Sequence, residues 1–145
     1  MKKFLVALGI AIGMAMAAPM AAMAATPNYN LNSQELVIPF HISGQYTATT
    51  TGVVKFALPF PAKLVGVSTT ARASGGTTPT LTVDVKEGGT TVLSAPISVT
   101  AGTVSEGTVT DSALADEASM TVDLTIGGTS PTWNDITVLL TVVRR

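Results

Sequence analysis

His41 is the only histidine in the chain, and it stands between Phe40 and Ile42 in a strand-like run. A catalytic histidine needs a nucleophile and an orienting partner. No G-x-S-x-G elbow frames a serine here, so His41 reads as structural. The chain has no cysteine, which excludes a Cys/His zinc site, a Cys–His dyad and any disulfide framework. The carboxylates are the next candidates. Asp84 and Asp123 occupy matched contexts, Thr82-Val83-Asp84-Val85 and Thr121-Val122-Asp123-Leu124, at an offset of 39 residues. Paired carboxylates can do acid–base work or bind calcium, but both fall on the outward register of their strands and are expected to be solvated. Asp111, Asp116 and Glu117 cluster in a loop and make better cation candidates. They lack the ligand at every second position that a calcium loop shows. Trp133, the only tryptophan, is followed by Asn134 and Asp135. An exposed indole beside amide and carboxylate groups suits stacking on a sugar ring, so these three residues are the candidate glycan site. The competing reading has Trp133 plugging one end of the core. Tyr29 and Tyr46 are too isolated for an aromatic platform. No helix follows the Gly-Gly pairs to cradle a phosphate. No catalytic residue, cofactor or metal is expected.

The elements that carry these residues read as strands. Leu81, Val83 and Val85 alternate with polar neighbours, as do Val122, Leu124 and Ile126. Ile136, Val138, Leu140 and Val142 alternate with Thr137, Leu139, Thr141 and Val143. A period of two buries one face of a strand and wets the other. Gly75-Gly76, Gly88-Gly89 and Gly127-Gly128 supply turns, while Pro59, Pro61, Pro79, Pro96 and Pro131 mark strand starts or edges. The spacing predicts about eight strands: 36–42, 45–50, 52–58, 63–73, 80–86, 90–98, 103–110 followed by 118–126, and 133–143. Asp111 to Glu117 is expected to form one helical turn with Asp111 as N-cap. The fold class is all-β, an antiparallel β-sandwich of jelly-roll type. The Asp84/Asp123 echo continues into Gly88-Gly89-Thr90 and Gly127-Gly128-Thr129. It leaves two readings open: similar hairpins in the two halves of the sandwich, or a duplication with two equivalent surfaces.

Composition narrows the partners. Hydrophobic residues are 46% of the 145 and charged residues 12%, which argues against disorder. A formal net charge of -1 offers no basic patch, so nucleic acid is not an expected partner. Lys2 and Lys3 precede an uncharged run from Phe4 to Ala18, then Ala22-Met23-Ala24. This is the layout of a secretory signal peptide with cleavage before Ala25. The expected organisation is residues 1–24 as signal peptide or hydrophobic anchor, 25–35 as an N-terminal arm, and 36–145 as the sandwich. Membrane contact is expected only through 1–24, if that segment is retained. Removing 24 of 145 residues leaves 121, with six basic and nine acidic side chains, a net charge of -3.

The stretch from Val53 to Val143 also carries a familiar progression. Leu64-Val65-Gly66-Val67 leads to Pro79-Thr80-Leu81-Thr82-Val83-Asp84-Val85, then Gly89-Thr90-Thr91-Val92-Leu93 and Ala101-Gly102-Thr103. Ala113-Leu114-Ala115-Asp116 and Met120-Thr121-Val122-Asp123-Leu124 complete it. It resembles the β-sandwich domains of tailed-phage virion accessory proteins, the head-decoration, head-fibre and tail-fibre modules. The resemblance implies no catalysis. It implies binding to capsid, to fibre proteins or to surface glycans, and it transfers no functional residue, since the shared positions are core and turn. A virion location and a homo-oligomer are the corresponding expectations. The signal-like start departs from that family. It raises a second reading, an extracellular or cell-surface subunit, a filament protein included. Gly44, the Thr-rich 47–51 run and 26–35 would then form an arm that pairs with a neighbour's sheet edge.

Overall fold

The computed structural model describes residues 35–145. The expected signal segment 1–24, Tyr29 and the arm up to residue 34 lie outside the described residues. Eight strands follow in order: β1 Glu35–Tyr46, β2 Thr50–Ala57, β3 Ala62–Glu87, β4 Thr90–Thr91, β5 Ile97–Ser98, β6 Ser105–Gly107, β7 Ala113–Leu114 and β8 Ser119–Arg144. All pairings are antiparallel. No helix forms among the described residues.

β3 and β8 are each 26 residues long and pair with one another from Ala62↔Arg144 to Glu87↔Met120. The expected strands 63–73 and 80–86 are thus one strand, as are 118–126 and 133–143. A straight ribbon of that length would run about 86 Å at ~3.3 Å per residue. It folds over instead. β1 lies beside the C-terminal half of β8, and β6 and β7 beside the N-terminal half of β3. β2 lies beside the N-terminal half of β8, and β4 and β5 beside the C-terminal half of β3. Two sheets result, β1–β8–β3–β6/β7 and β2–β8–β3–β4/β5, joined through the shared ribbon. This is jelly-roll connectivity.

The fold-over is built from two copies of one short sequence. Gly75-Gly76-Thr77-Thr78-Pro79-Thr80 on β3 faces Gly127-Gly128-Thr129-Ser130-Pro131-Thr132 on β8, with Gly75↔Thr132 and Thr80↔Gly127 in register. Gly76 and Gly128 take φ of 98° and 114°, and Thr78 and Ser130 each take 48°. A Cβ on Gly128 would lie 2.6 Å from the Thr78 carbonyl oxygen, and one on Gly76 would overlap that of Ser130. Only glycine lets the two backbones approach this closely. The paired register shifts bend both strands together.

One core fills the space between the sheets. Val83, Val85, Val122, Leu124, Ile136, Val138 and Leu140 are all buried, as their alternation predicts. Thr82, Thr121 and Thr137 face outward but are half-buried by neighbouring strands rather than fully exposed. Phe40 of β1 and Phe56 of β2 close one side, their ring centroids 4.4 Å apart. Gly107 of β6 lies so close to Ile97 of β5 that a Cβ would meet the Ile97 side chain at 2.8 Å.

Several expected elements differ. Residues 90–98 form only the short β4 and β5, and 103–110 only β6. β1 continues through Gly44 to Tyr46, and Thr47–Thr49 is a connection rather than part of a 45–50 strand. Gly44 therefore belongs to the sheet and not to a free arm. The helical turn at 111–117 is absent. The Ala113 N–H donates to Asp111 Oδ1 at 3.3 Å, and Ala113–Leu114 adds to β3 at Ala62 and Lys63. Burying Leu114 against the core outweighs a single turn of helix, which is costly to nucleate.

Candidate functional site

The two members of the echo at offset 39 are not placed in separate halves of the sandwich. They lie side by side in one sheet, with Val83↔Leu124, Asp84↔Asp123 and Val85↔Val122 as ladder partners. The two carboxylates are not freely solvated. Their side chains are only 16% and 13% exposed, covered on the outer face of the second sheet by the flanking strands. Lys86 Nζ lies 2.8 Å from Asp123 Oδ2 and 3.9 Å from Asp84 Oδ2. The ammonium occupies the place where a cation would sit between the two acids. The Gly52 N–H donates to Asp123 Oδ1 at 2.6 Å, and the Thr91 hydroxyl donates to Asp84. The Lys86 hydrogen bond first, and that of Gly52 after it, holds the Asp123 carboxyl below the usual carboxylate range. The same bond raises Lys86 above the usual lysine value.

A second cluster stands on the outer face of the first sheet. Asp135 Oδ1 accepts the Gly44 N–H at 2.9 Å, and its Oδ2 accepts Arg72 Nε–H at 2.6 Å. The Gly44 hydrogen bond, followed by Arg72, lowers the Asp135 pKa. His41 Nδ1 and Thr137 Oγ1 lie 3.1 Å apart on the same face. Each cluster therefore joins a β8 aspartate, a basic side chain of β3 and the backbone of a bulged edge strand. These groups lock edge strands in place. A carboxylate already satisfied by a backbone N–H and a cation is a weak general base.

The candidate glycan residues are separated by a break in the alternation of β8: Trp133 and Ile136 are both buried, and Asp135 between them takes φ of 49° opposite the β1 bulge. Trp133 is 2% exposed and packs in the core, its Nε1 without a hydrogen-bond partner among the described residues. Asn134 and Asp135 are half-buried. A sugar stacked on the ring of Trp133 would require the indole to leave the core. Asp111, Asp116 and Glu117 are exposed, with Asp111 turned onto its own loop. No group of three metal-ligating side chains comes together among the described residues.

Sequence reasoning missed the latching role of Asp123, Asp135, Arg72 and Lys86, and with it Gly44 and Gly52. The available signal was a lone glycine inside each of two strand-like runs, the mark of a bulge. Pairing each glycine with its aspartate required the fold.

Together the ribbon, the two sheets and the latches define an antiparallel jelly-roll domain. No protein-family model and no curated protein matches the chain. Among solved structures it is similar to a chain titled "Cyanophage Pam1 capsid asymmetric unit", at 19% identity and a TM-score of 0.49. That alignment covers 91% of this chain and 100% of the other. It is also similar to a chain of infectious bursal disease virus, Gt strain, at 17% identity and a TM-score of 0.44, over 77% of this chain and 33% of that one. At such identities no residue's role transfers.

Proposed function

We propose that this chain is a non-enzymatic structural subunit, a virion-accessory protein of decoration or fibre type, that works through contacts with other protein subunits. The observation that carries the reading is where its reactive side chains are spent. Asp123, Asp135, Lys86 and Arg72 are bound to one another and to edge-strand backbone. What remains outward is threonine-rich and poor in charge, a surface covered at modest desolvation cost. The virion assignment draws on the Val53–Val143 progression and on jelly rolls as a recurrent capsid architecture. The latter is analogy at the level of fold.

The second reading is an exported surface or filament subunit on the same sandwich. The Lys2-Lys3 start and the apolar run after it favour it. Mass spectrometry of purified particles and of the culture supernatant separates the two. The virion reading expects the protein at fixed stoichiometry on particles. Its presence on cells or in the supernatant alone, with particles lacking it, overturns that reading.

A further inference from the structure

We propose that the outer face of the β1–β8–β3 sheet is a docking surface for a second copy of this chain, arranged about a two-fold axis running along β8. This assignment rests on the assembly reading above and names its surface and partner.

The two outer faces of the sandwich differ in chemistry. The second sheet presents Thr82, Asp84, Lys86, Thr121 and Asp123, a polar, ion-paired surface. The first sheet carries the Arg72–Asp135 ion pair and His41 toward one end and, toward the other, an apolar patch around Thr141. Val37 and Gly66 flank Thr141 in one row, and Pro39 and Ser68 flank Leu139 in the next. The register shift between Leu64 and Gly66 pushes Val65 out beside them. Val37 and Val65 are 52% and 44% exposed. A shallow groove of about 240 Å³ crosses Val65, Gly66, Ser68 and Thr141 and ends at the Glu106 carboxylate of β6, which bounds the patch on that side. Outward valines over a groove are surface that a solitary sheet gains nothing by showing to water.

The face, rather than the free edge of β1, is the surface suited to a partner. Proline sits in sheets where its missing N–H points away from the ladder. Pro39 therefore leaves the edge of β1 that is unpaired among the described residues without a donor at its middle, and the bulge between Ile42 and Gln45 bends the rest. Both are devices that block strand addition.

Charge selects the occupant. Glu35 and Lys63 stand on either side of Val143 in one row. Both are exposed, and neither makes a salt bridge among the described residues. A two-fold axis along β8 lays β1 of one copy over β3 of the other. Glu35 then meets the second copy's Lys63, and Lys63 its Glu35. Val37 meets the second copy's Val65, and Leu139, Thr141 and Val143 meet their own counterparts. The patch is complementary to itself, which a closed two-fold interface requires. It is small. Seven residues along the strands and three strands across give roughly 300–400 Å², against ~800 Å² per partner for a standard interface. The dimer is therefore weak and depends on concentration.

Analytical ultracentrifugation of the purified protein from about 5 to 500 μM spans the affinities expected for so small an interface. Glu35→Lys and Lys63→Glu should each weaken association about tenfold, and the double reversal should restore it. Thr141→Arg, at the centre of the patch, should leave a monomer with unchanged thermal unfolding. A wild-type monomer across the range overturns self-docking, and if that monomer still occupies particles the assembly reading stands. A wild-type oligomer indifferent to Thr141→Arg and to both reversals overturns this face. A double reversal as weak as the singles overturns the two-fold arrangement.

Discussion

Asp123 and Asp135 stand on the same strand and perform the same task on opposite sheets. Each accepts the N–H of a positive-φ glycine in a bulged edge strand, Gly52 in β2 for Asp123 and Gly44 in β1 for Asp135. Each also holds a basic side chain of β3, Lys86 or Arg72. The two glycines flank the β1–β2 connection, Thr47–Thr49, where the chain crosses from one sheet to the other. One pair of carboxylates thus fixes both ends of that crossing.

This arrangement is expected to make the protein's stability fall in acid. Both carboxyls have folded pKa values below their ordinary ones. Their contribution is fully present above the unfolded aspartate pKa, about 3.9, and is lost as pH falls through the lower folded values. Urea unfolding between pH 7 and pH 2 should show stability falling below about pH 4. Asp123→Asn combined with Asp135→Asn should lower stability at pH 7 and flatten the acid limb. An acid limb as steep in the double variant as in the wild type would assign the effect to other groups.

The fold-over should tolerate no side chain. Gly128→Ala places a Cβ 2.6 Å from the Thr78 carbonyl oxygen at φ +114°. Gly88→Ala, at φ +56° with open space around it, is the control. Chemical denaturation should show a cost of about 1 kcal/mol for Gly88→Ala and several times that for Gly128→Ala. Equal costs would mean that the two backbones can separate at the bend.

Phe40 and Phe56 tie β1 to β2 across the gap between the sheets. A double-mutant cycle with Phe40→Leu and Phe56→Leu should return a coupling of about 0.5–1.5 kcal/mol. Zero coupling would mean that the rings act only as separate apolar lids.

Leu124 is fully buried opposite Val83. Leu124→Ala should cost about 2–5 kcal/mol in unfolding free energy. The exposed neighbour change Thr125→Ala should stay within about 0.5 kcal/mol. Reversed magnitudes would place the register one residue out.

Trp133 reports on its own burial. Its fluorescence should be blue-shifted, resistant to acrylamide quenching and unmoved by soluble sugars. A red-shifted, readily quenched emission that responds to a saccharide would instead put the ring at a glycan site.

Burial was legible along the chain because strand alternation is local. Val83, Leu124 and Ile136 each declare their face through their immediate neighbours, and each is fully buried. The all-β class followed from the same pattern. Partnership was not legible. Nothing near Asp84 announces that Asp123 lies opposite it, because pairing depends on where the ribbon folds and which edges remain open. The repeated Gly-Gly-Thr-Thr/Ser-Pro-Thr segments look like two turns along the sequence. Facing one another they become a single bend, since each glycine makes room for the other strand's carbonyl. Trp133 carries polar neighbours that suggest a surface, yet it points inward, and the irregular backbone at Asp135 opposite the β1 bulge leaves that carboxylate outside. Side-chain direction is a property of a few residues, whereas the latches, the bend and the apolar outer face arise from contacts across dozens of positions.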